Sequence, residues 1–325
     1  MKFRTEYKPT KADFTLNPEH HVVMLGSCFA DNMRQKMRSC LWRAENPLGT
    51  LYNPLSIERA IRICLDPGRY YENFDATVFN DSQGIYHSWL FDSKLSADRR
   101  DKMSVYFSHV EQDIRNGLKT APALFVTFGT SYCYFLADKP DFVVANCHKQ
   151  PSDTFIRRRL SVSEIVECWE KLVNDLTALN PNLRIVFTVS PVRHIKDGLE
   201  GNARSKAVLL LAIDELCSRL DCCSYFPAYE IVNDDLRDYR FYASDLVHPS
   251  DQAVEYLWEI FRATYLDQAG LQLLKEGESI VKAYQHRSLI EDNYENYLRH
   301  LKVIERYNDF IGSHPDMLEI EFVKL

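Results

Sequence analysis

Val22-Val23-Met24-Leu25-Gly26-Ser27-Cys28-Phe29-Ala30 begins with four consecutive apolar residues, breaks at a Gly-Ser turn and continues in a helix-like stretch. A short apolar run bounded by a turn is what a strand buried on both faces requires. A serine at its C-terminal end stands where open α/β sheets place their ligands and chemistry. Similar runs recur at 123–128, 142–145, 183–189 and 223–226, with helical patterns between several of them. The segment 96–118 carries Met103, Val105, Tyr106, Phe107, Val110 and Ile114. Ser161 and Glu164 form a capping-box pattern that predicts a helix to about Leu179, where Asn180-Pro181 stops it. A further helix is expected over 203–220, with Ala207, Leu210, Leu211, Leu216 and Leu220 on its apolar face. Strands alternating with helices predict an α/β fold: three α/β/α layers around a mostly parallel sheet.

From about Gln268 the pattern changes to two charged amphipathic helices, 271–285 and 289–309, before a weak strand-like run at 317–323. The expected organisation is therefore an α/β domain over 1–265 and a C-terminal helical extension over 266–325. That extension packs on the domain or offers its free face to a second copy, giving a homo-oligomer. A content of 46% hydrophobic residues over 325 positions is enough for a sizeable core. The net charge of −7, with both signs interspersed, argues against nucleic acid as a partner.

Met1 to Lys8 contains no apolar leader core, and no uninterrupted apolar span reaches membrane length, so no membrane association is expected. Nine cysteines are scattered without a Cys-x-x-Cys pair, which fits reduced thiols in a cytoplasmic protein. The adjacent Cys222 and Cys223 suit neither a mutual disulfide nor a tetrahedral zinc site. No cofactor and no metal are expected.

Ser27 is the candidate nucleophile, with the following helix aiming its N-terminal amides at a developing oxyanion. A serine at this position also serves as a helix cap. Ser244-Asp245-Leu246-Val247-His248-Pro249 can deliver an acid and a base from one loop, Asp245 orienting the imidazole of His248. Cys28 is a rival nucleophile. Cys147-His148 invites a metal or Cys-His reading, but no further ligands stand at a recognisable spacing. Arg193, beside His194, suits a substrate carboxylate or phosphate, or else a local acid. Tyr239-Arg240-Phe241-Tyr242 reads as packing beneath a loop more readily than as a sugar platform.

Gly26 to Ala30 spell the five letters of the GSCFA family, and the chain resembles that family well beyond them. Asn46 to Pro54, Thr127 to Thr130, Ala145 to Lys149, Ser190 to His194, Phe226 to Glu230 and Asp238 to Tyr242 follow in order over roughly residues 20–262. The family in turn resembles the SGNH (GDSL-like) hydrolases, which implies a flavodoxin-like fold and a serine esterase. The resemblance places Ser27 as nucleophile and Asp245 and His248 in an Asp-x-x-His pair. It implies oxyanion donors from the amide of Ser27, from Gly49 and from an asparagine. Ser131 occupies the asparagine's usual place, which leaves Asn146 as the replacement, and Gly26 stands where those enzymes carry aspartate. Gly129, Thr130, His148, Arg193 and His194 follow strand ends and are candidates for substrate contact. The expected activity is hydrolysis or transfer of a short acyl group, such as acetyl, on a small-molecule or carbohydrate ester. The alternative is a non-catalytic binding or scaffold protein on the same fold.

Overall fold

The structure is a computed structural model that describes residues 4–66, 74–286 and 294–319. Its centre is a five-stranded sheet made of β1 (Val22–Gly26), β2 (Ala44–Glu45), β5 (Ala123–Phe128), β9 (Arg184–Val189) and β10 (Cys223–Tyr225). The spatial order is β2-β1-β5-β9-β10, and every pairing is parallel.

Because side chains alternate across a strand, each central strand feeds two cores. Val23, Leu25, Leu124, Val126, Ile185 and Phe187 face one way. There they meet α2 (Pro54–Leu65), α3 (Arg100–Thr120), α4 (Val162–Leu179) and α5 (Gly198–Arg219). Val22, Met24, Ala123, Phe125 and Val186 face the other way, onto α1 (Cys28–Arg38) and α6 (Asp251–Tyr265). The result is the three-layer α/β/α fold.

The expected capping box is present at the start of α4, where Ser161 Oγ accepts from the Glu164 amide while Glu164 accepts from the Ser161 amide at 2.8 Å. The run 142–145 behaves differently from the expectation of a strand in the parallel sheet. Only Val143–Val144 is extended (β7), and it pairs antiparallel with β6 (Tyr132–Leu136). The other side of β6 pairs with β8 (Phe155–Arg159), so these three form a separate small sheet. A second small sheet pairs β3 (Val78–Asn80) with β4 (Tyr86–Ser88).

In α5 the buried stripe also differs from expectation. Leu209, Ala212, Ile213 and Leu216 are inside, whereas Leu211 is exposed.

The C-terminal extension consists of α7 (Gln268–Gln285) and α8 (Tyr294–Ser313). The expected start of the second helix at Leu289 lies outside the described residues. So does most of the 317–323 run, whose described residues Met317 to Glu319 are not extended into a strand. Gly277 in α7 lies so close to the Cys40 carbonyl that no Cβ fits. The Leu318 amide donates to the Leu41 carbonyl at 2.7 Å, and His314 pairs with Glu19 at 2.8 Å. These contacts seat the extension on the α/β body.

Candidate functional site

The chain leaves β1 toward β2 on one side and returns to β5 on the other, so the order of strands reverses between β1 and β5. The crevice outside the carboxyl ends of such a pair is where open α/β sheets bind ligands. Ser27 ends β1 there, and Gly129 ends β5. Gly26 has φ +121°, and a Cβ on it would collide with the Thr127 carbonyl oxygen. No aspartate fits at this position, which accounts for the glycine that precedes the serine.

A cleft of about 460 Å³ opens over this crevice, lined among others by Cys28, Tyr52, Asn146, Arg193, His194 and His248. Ser27 lies beneath it, 2% exposed, and its Oγ accepts from the Phe29 amide at 3.4 Å as the N-cap of α1. The point where a Gly129 Cβ would stand lies 3.4 Å from Ser27 Cβ and 3.3 Å from His194 Nε2. The bare glycine therefore lets serine and imidazole approach each other.

Asp245 and His248 are brought together. Asp245 Oδ2 and His248 Nδ1 are 2.6 Å apart, while Asp245 Oδ1 accepts the amides of Val247 (2.9 Å) and His248 (3.0 Å). Led by the His248 amide bond, these contacts hold the Asp245 carboxyl down at about 2. Asp245 is thus ionised across the physiological range, and Nε2 is the ring nitrogen left for chemistry. Among the described hydrogen bonds none joins His248 to Ser27 Oγ.

Two expected oxyanion donors are occupied elsewhere. The Ser27 amide donates to the Thr127 carbonyl at 3.2 Å, completing the β1–β5 ladder. The Gly49 amide closes a turn on the Asn46 carbonyl at 3.3 Å. Asn146 does line the cleft. Its Oδ1 accepts the His148 amide at 2.8 Å, which forms its turn and leaves the side-chain NH₂ to donate. Asn53, which the sequence reading did not single out, brings a second side-chain amide to the cleft. It is buried along the cleft, and its Oδ1 caps α2 by accepting from the Ser56 amide at 2.8 Å. Its signal was the helix-initiating Asn-Pro pair, whose second polar atom has no capping duty.

Thr130 lines the cleft and Gly129 is buried behind it. Both amides donate to the Tyr52 carbonyl, at 2.7 and 3.0 Å, and Thr130 Oγ1 pairs with Ser205 Oγ at 3.0 Å. Ser131, in the asparagine's place, is fully buried and is held by Ser205 through its amide and its hydroxyl. Lys206, the next residue of α5, is also buried. Its ammonium donates to the carbonyls of Gly129 and Ser190, both at 2.6 Å, and burial pulls its pKa down to about 7. His194 is anchored through its amide to Asn202 Oδ1 at 3.0 Å. Burial, reinforced by the charge on Lys206, lowers the His194 imidazole to about 4, so it is neutral at pH 7.

His148 is not in the cleft, which corrects the expectation of a substrate contact. The backbone turns through φ +45° and buries the ring beneath β4, with Nε2 donating to the Ser88 carbonyl at 2.9 Å and Nδ1 3.3 Å from Ser93 Oγ. A neutral imidazole satisfies both contacts, one nitrogen donating and the other accepting. The His148 ring is thus committed to Ser88 and Ser93, and burial raises the Cys147 thiol to about 11. Among the described residues no group of three or more His, Cys, Asp or Glu is placed to hold a metal ion. Nor is any described helix long and apolar enough to cross a membrane.

Burial lowers the His148 pKa to about 4, which sets a pH dependence of stability. Between pH 4 and 6.5 the unfolded chain binds this proton and the folded chain does not, so stability rises with pH across that window and is lost as pH falls. His148 alone is expected to remove about 3 kcal/mol between pH 7 and pH 4. Urea unfolding at a series of pH values measures this slope, and His148→Gln, which keeps a donor for Ser88, is expected to flatten it. An unchanged slope in the variant contradicts the assignment.

Comparison with curated proteins returns no match. The strand-end serine, the Tyr52 and Thr130 walls and the Asp245–His248 loop all fall within residues 21–261, the span matched by the model of the GSCFA family, and the chain belongs to that family.

Proposed function

We propose that the protein is a serine-dependent ester hydrolase or acyltransferase of the SGNH type, acting on a short acyl ester. The observation that carries this reading is the Asp245–His248 pair at 2.6 Å, on a loop lining the cleft under which Ser27 ends β1. His248 Nε2 takes the Ser27 proton as Oγ attacks the acyl carbonyl carbon. Asp245 holds the ring and stabilises the imidazolium. The oxyanion receives hydrogen bonds from the side-chain NH₂ of Asn146 or Asn53, with the N-terminus of α1 favouring negative charge there. Collapse breaks the ester C–O bond, and the leaving alcohol takes the proton from Nε2. Water, or a second alcohol in transfer, then attacks the acyl carbon while giving its proton to His248, and Nε2 passes that proton to Ser27 Oγ as the acyl–Oγ bond breaks.

The reading requires the Ser27 hydroxyl, whose oxygen accepts from the Phe29 amide, to donate its hydrogen to His248. Labelling with a fluorophosphonate tests this directly. The folded wild type is expected to label on one serine, and Ser27→Ala to abolish it. A second reading, a binding module on the same fold, is favoured by the 2% exposure of Ser27 and its capping role. It becomes the better account if the folded wild type neither labels nor turns over a panel of acyl esters.

A further inference from the structure

Arg193 occupies the rim between the two loops that build the cleft. Its amide lies 3.5 Å from the Val247 carbonyl, which places it beside the His248 loop. Its guanidinium lies over Tyr242, 4.4 Å from the ring centroid, and over Tyr239 at 5.3 Å. The arginine is half-buried, so these rings replace part of its water. Among the described residues no carboxylate pairs with it and no side chain accepts its hydrogen bonds, unlike Arg157 of the same cleft, which is paired with Asp197. Lys196 also lines the cleft but is exposed and solvated. The region is thus locally basic in a chain of net charge −7. A guanidinium packed on one side against two aromatic rings, 5.8 Å apart at their centroids, keeps its edge donors in a planar fork, the geometry that takes an oxyanion through two parallel hydrogen bonds.

We propose that Arg193 binds an anionic group of the substrate, a carboxylate or a phosphate, next to the ester that Ser27 attacks. The inference rests on the hydrolase reading for the identity of the reacting bond, while the anion site itself can be measured without catalysis. Tyr239 and Tyr242 then act as supports that fix the guanidinium plane, which gives the aromatic loop segment a role beyond packing.

The experiment uses matched probes that differ in charge. Binding of 4-hydroxybenzoate, 4-hydroxyphenyl phosphate and the neutral 4-hydroxybenzamide to the full-length protein is measured by calorimetry, and turnover is compared for their O-acetyl esters. Wild type is expected to favour an anionic probe over the amide about 10- to 100-fold, the range for hydrogen bonds to charged groups. The anion that binds more tightly identifies the source. Arg193→Met is expected to erase the preference, and Arg193→Lys to keep a small part of it, since the charge remains without the fork.

If Arg193→Met fails to fold, the wild type still decides. Raising salt from about 0.05 to 0.5 M must weaken the anionic probes and leave the amide unaffected. Equal binding of anions and amide by wild type, or an undiminished preference in folded Arg193→Met, overturns the proposal. An Arg193-dependent preference in binding with no ester turned over leaves the anion site standing and defeats the hydrolase reading alone.

Discussion

His248→Ala is expected to lower kcat/KM on an acyl ester by on the order of 10³-fold or more. With His248 gone, no other described imidazole lining the cleft is hydrogen-bonded to a carboxylate. His194 does not substitute, because burial and the charge on Lys206 keep its basicity low. Asp245→Asn is expected to approach the same loss by a different route. The asparagine oxygen can still accept the Val247 and His248 amides and hold the loop, but its NH₂ faces His248 Nδ1. That forces the proton onto Nε2, the nitrogen that must be bare to act as base. Steady-state kinetics of the two variants, with circular dichroism to show that both are folded, measures the effect. Losses smaller than tenfold in both would remove the pair from the chemistry.

Gly26→Ala is expected to be the most damaging alanine substitution among the described glycines. Two costs add at this position: a side chain held at φ +121° and a Cβ driven into the Thr127 carbonyl, which the parallel neighbour strand cannot move aside. Strain and overpacking together amount to on the order of 4 kcal/mol. Gly84→Ala is the control. Gly84 has φ +80° but nothing within 4 Å of the point where its methyl would stand, so only the backbone cost of about 1 kcal/mol remains. Urea denaturation midpoints give the comparison directly. Similar losses at both sites would mean that the β1–β5 contact yields, contrary to the geometry.

The central strands were legible because they are apolar on both faces, which leaves no competing pattern. The same apolar character misled at 142–145, where two valines serve an antiparallel edge beside the cleft. β8 gave only a two-residue apolar signal, being Phe155-Ile156-Arg157-Arg158-Arg159 on an exposed edge. The most instructive miss is α5. Its buried stripe continues toward the N-terminus through Asn202, Ser205 and Lys206, in helical register with Leu209, Ala212, Ile213 and Leu216. Hydrophobicity alone cannot see that half of the helix face. Each of these polar residues holds one cleft loop in place: Asn202 the His194 amide, Ser205 the Thr130-Ser131 turn, Lys206 the two strand-end carbonyls. Polar residues in step with an apolar stripe were the available signal. At the site, Ser27, Asp245 and His248 were legible as types at strand and loop positions. Which backbone amides stay free was not, since that depends on ladder and turn bonds between distant segments.

The clamp made by Lys206 has an unusual stoichiometry. An ammonium carries three hydrogens and a neutral amine two, and two carbonyl acceptors meet this nitrogen. Losing a proton therefore costs the clamp no hydrogen bond. Burial pulls the Lys206 pKa down to about 7, and the two hydrogens of a neutral amine still match the two carbonyls, so the ends of β5 and β9 keep a donor in either form. The shape of the crevice and its electrical potential are thereby uncoupled: acid and base alter the field felt by His194 while the architecture around it stays fixed.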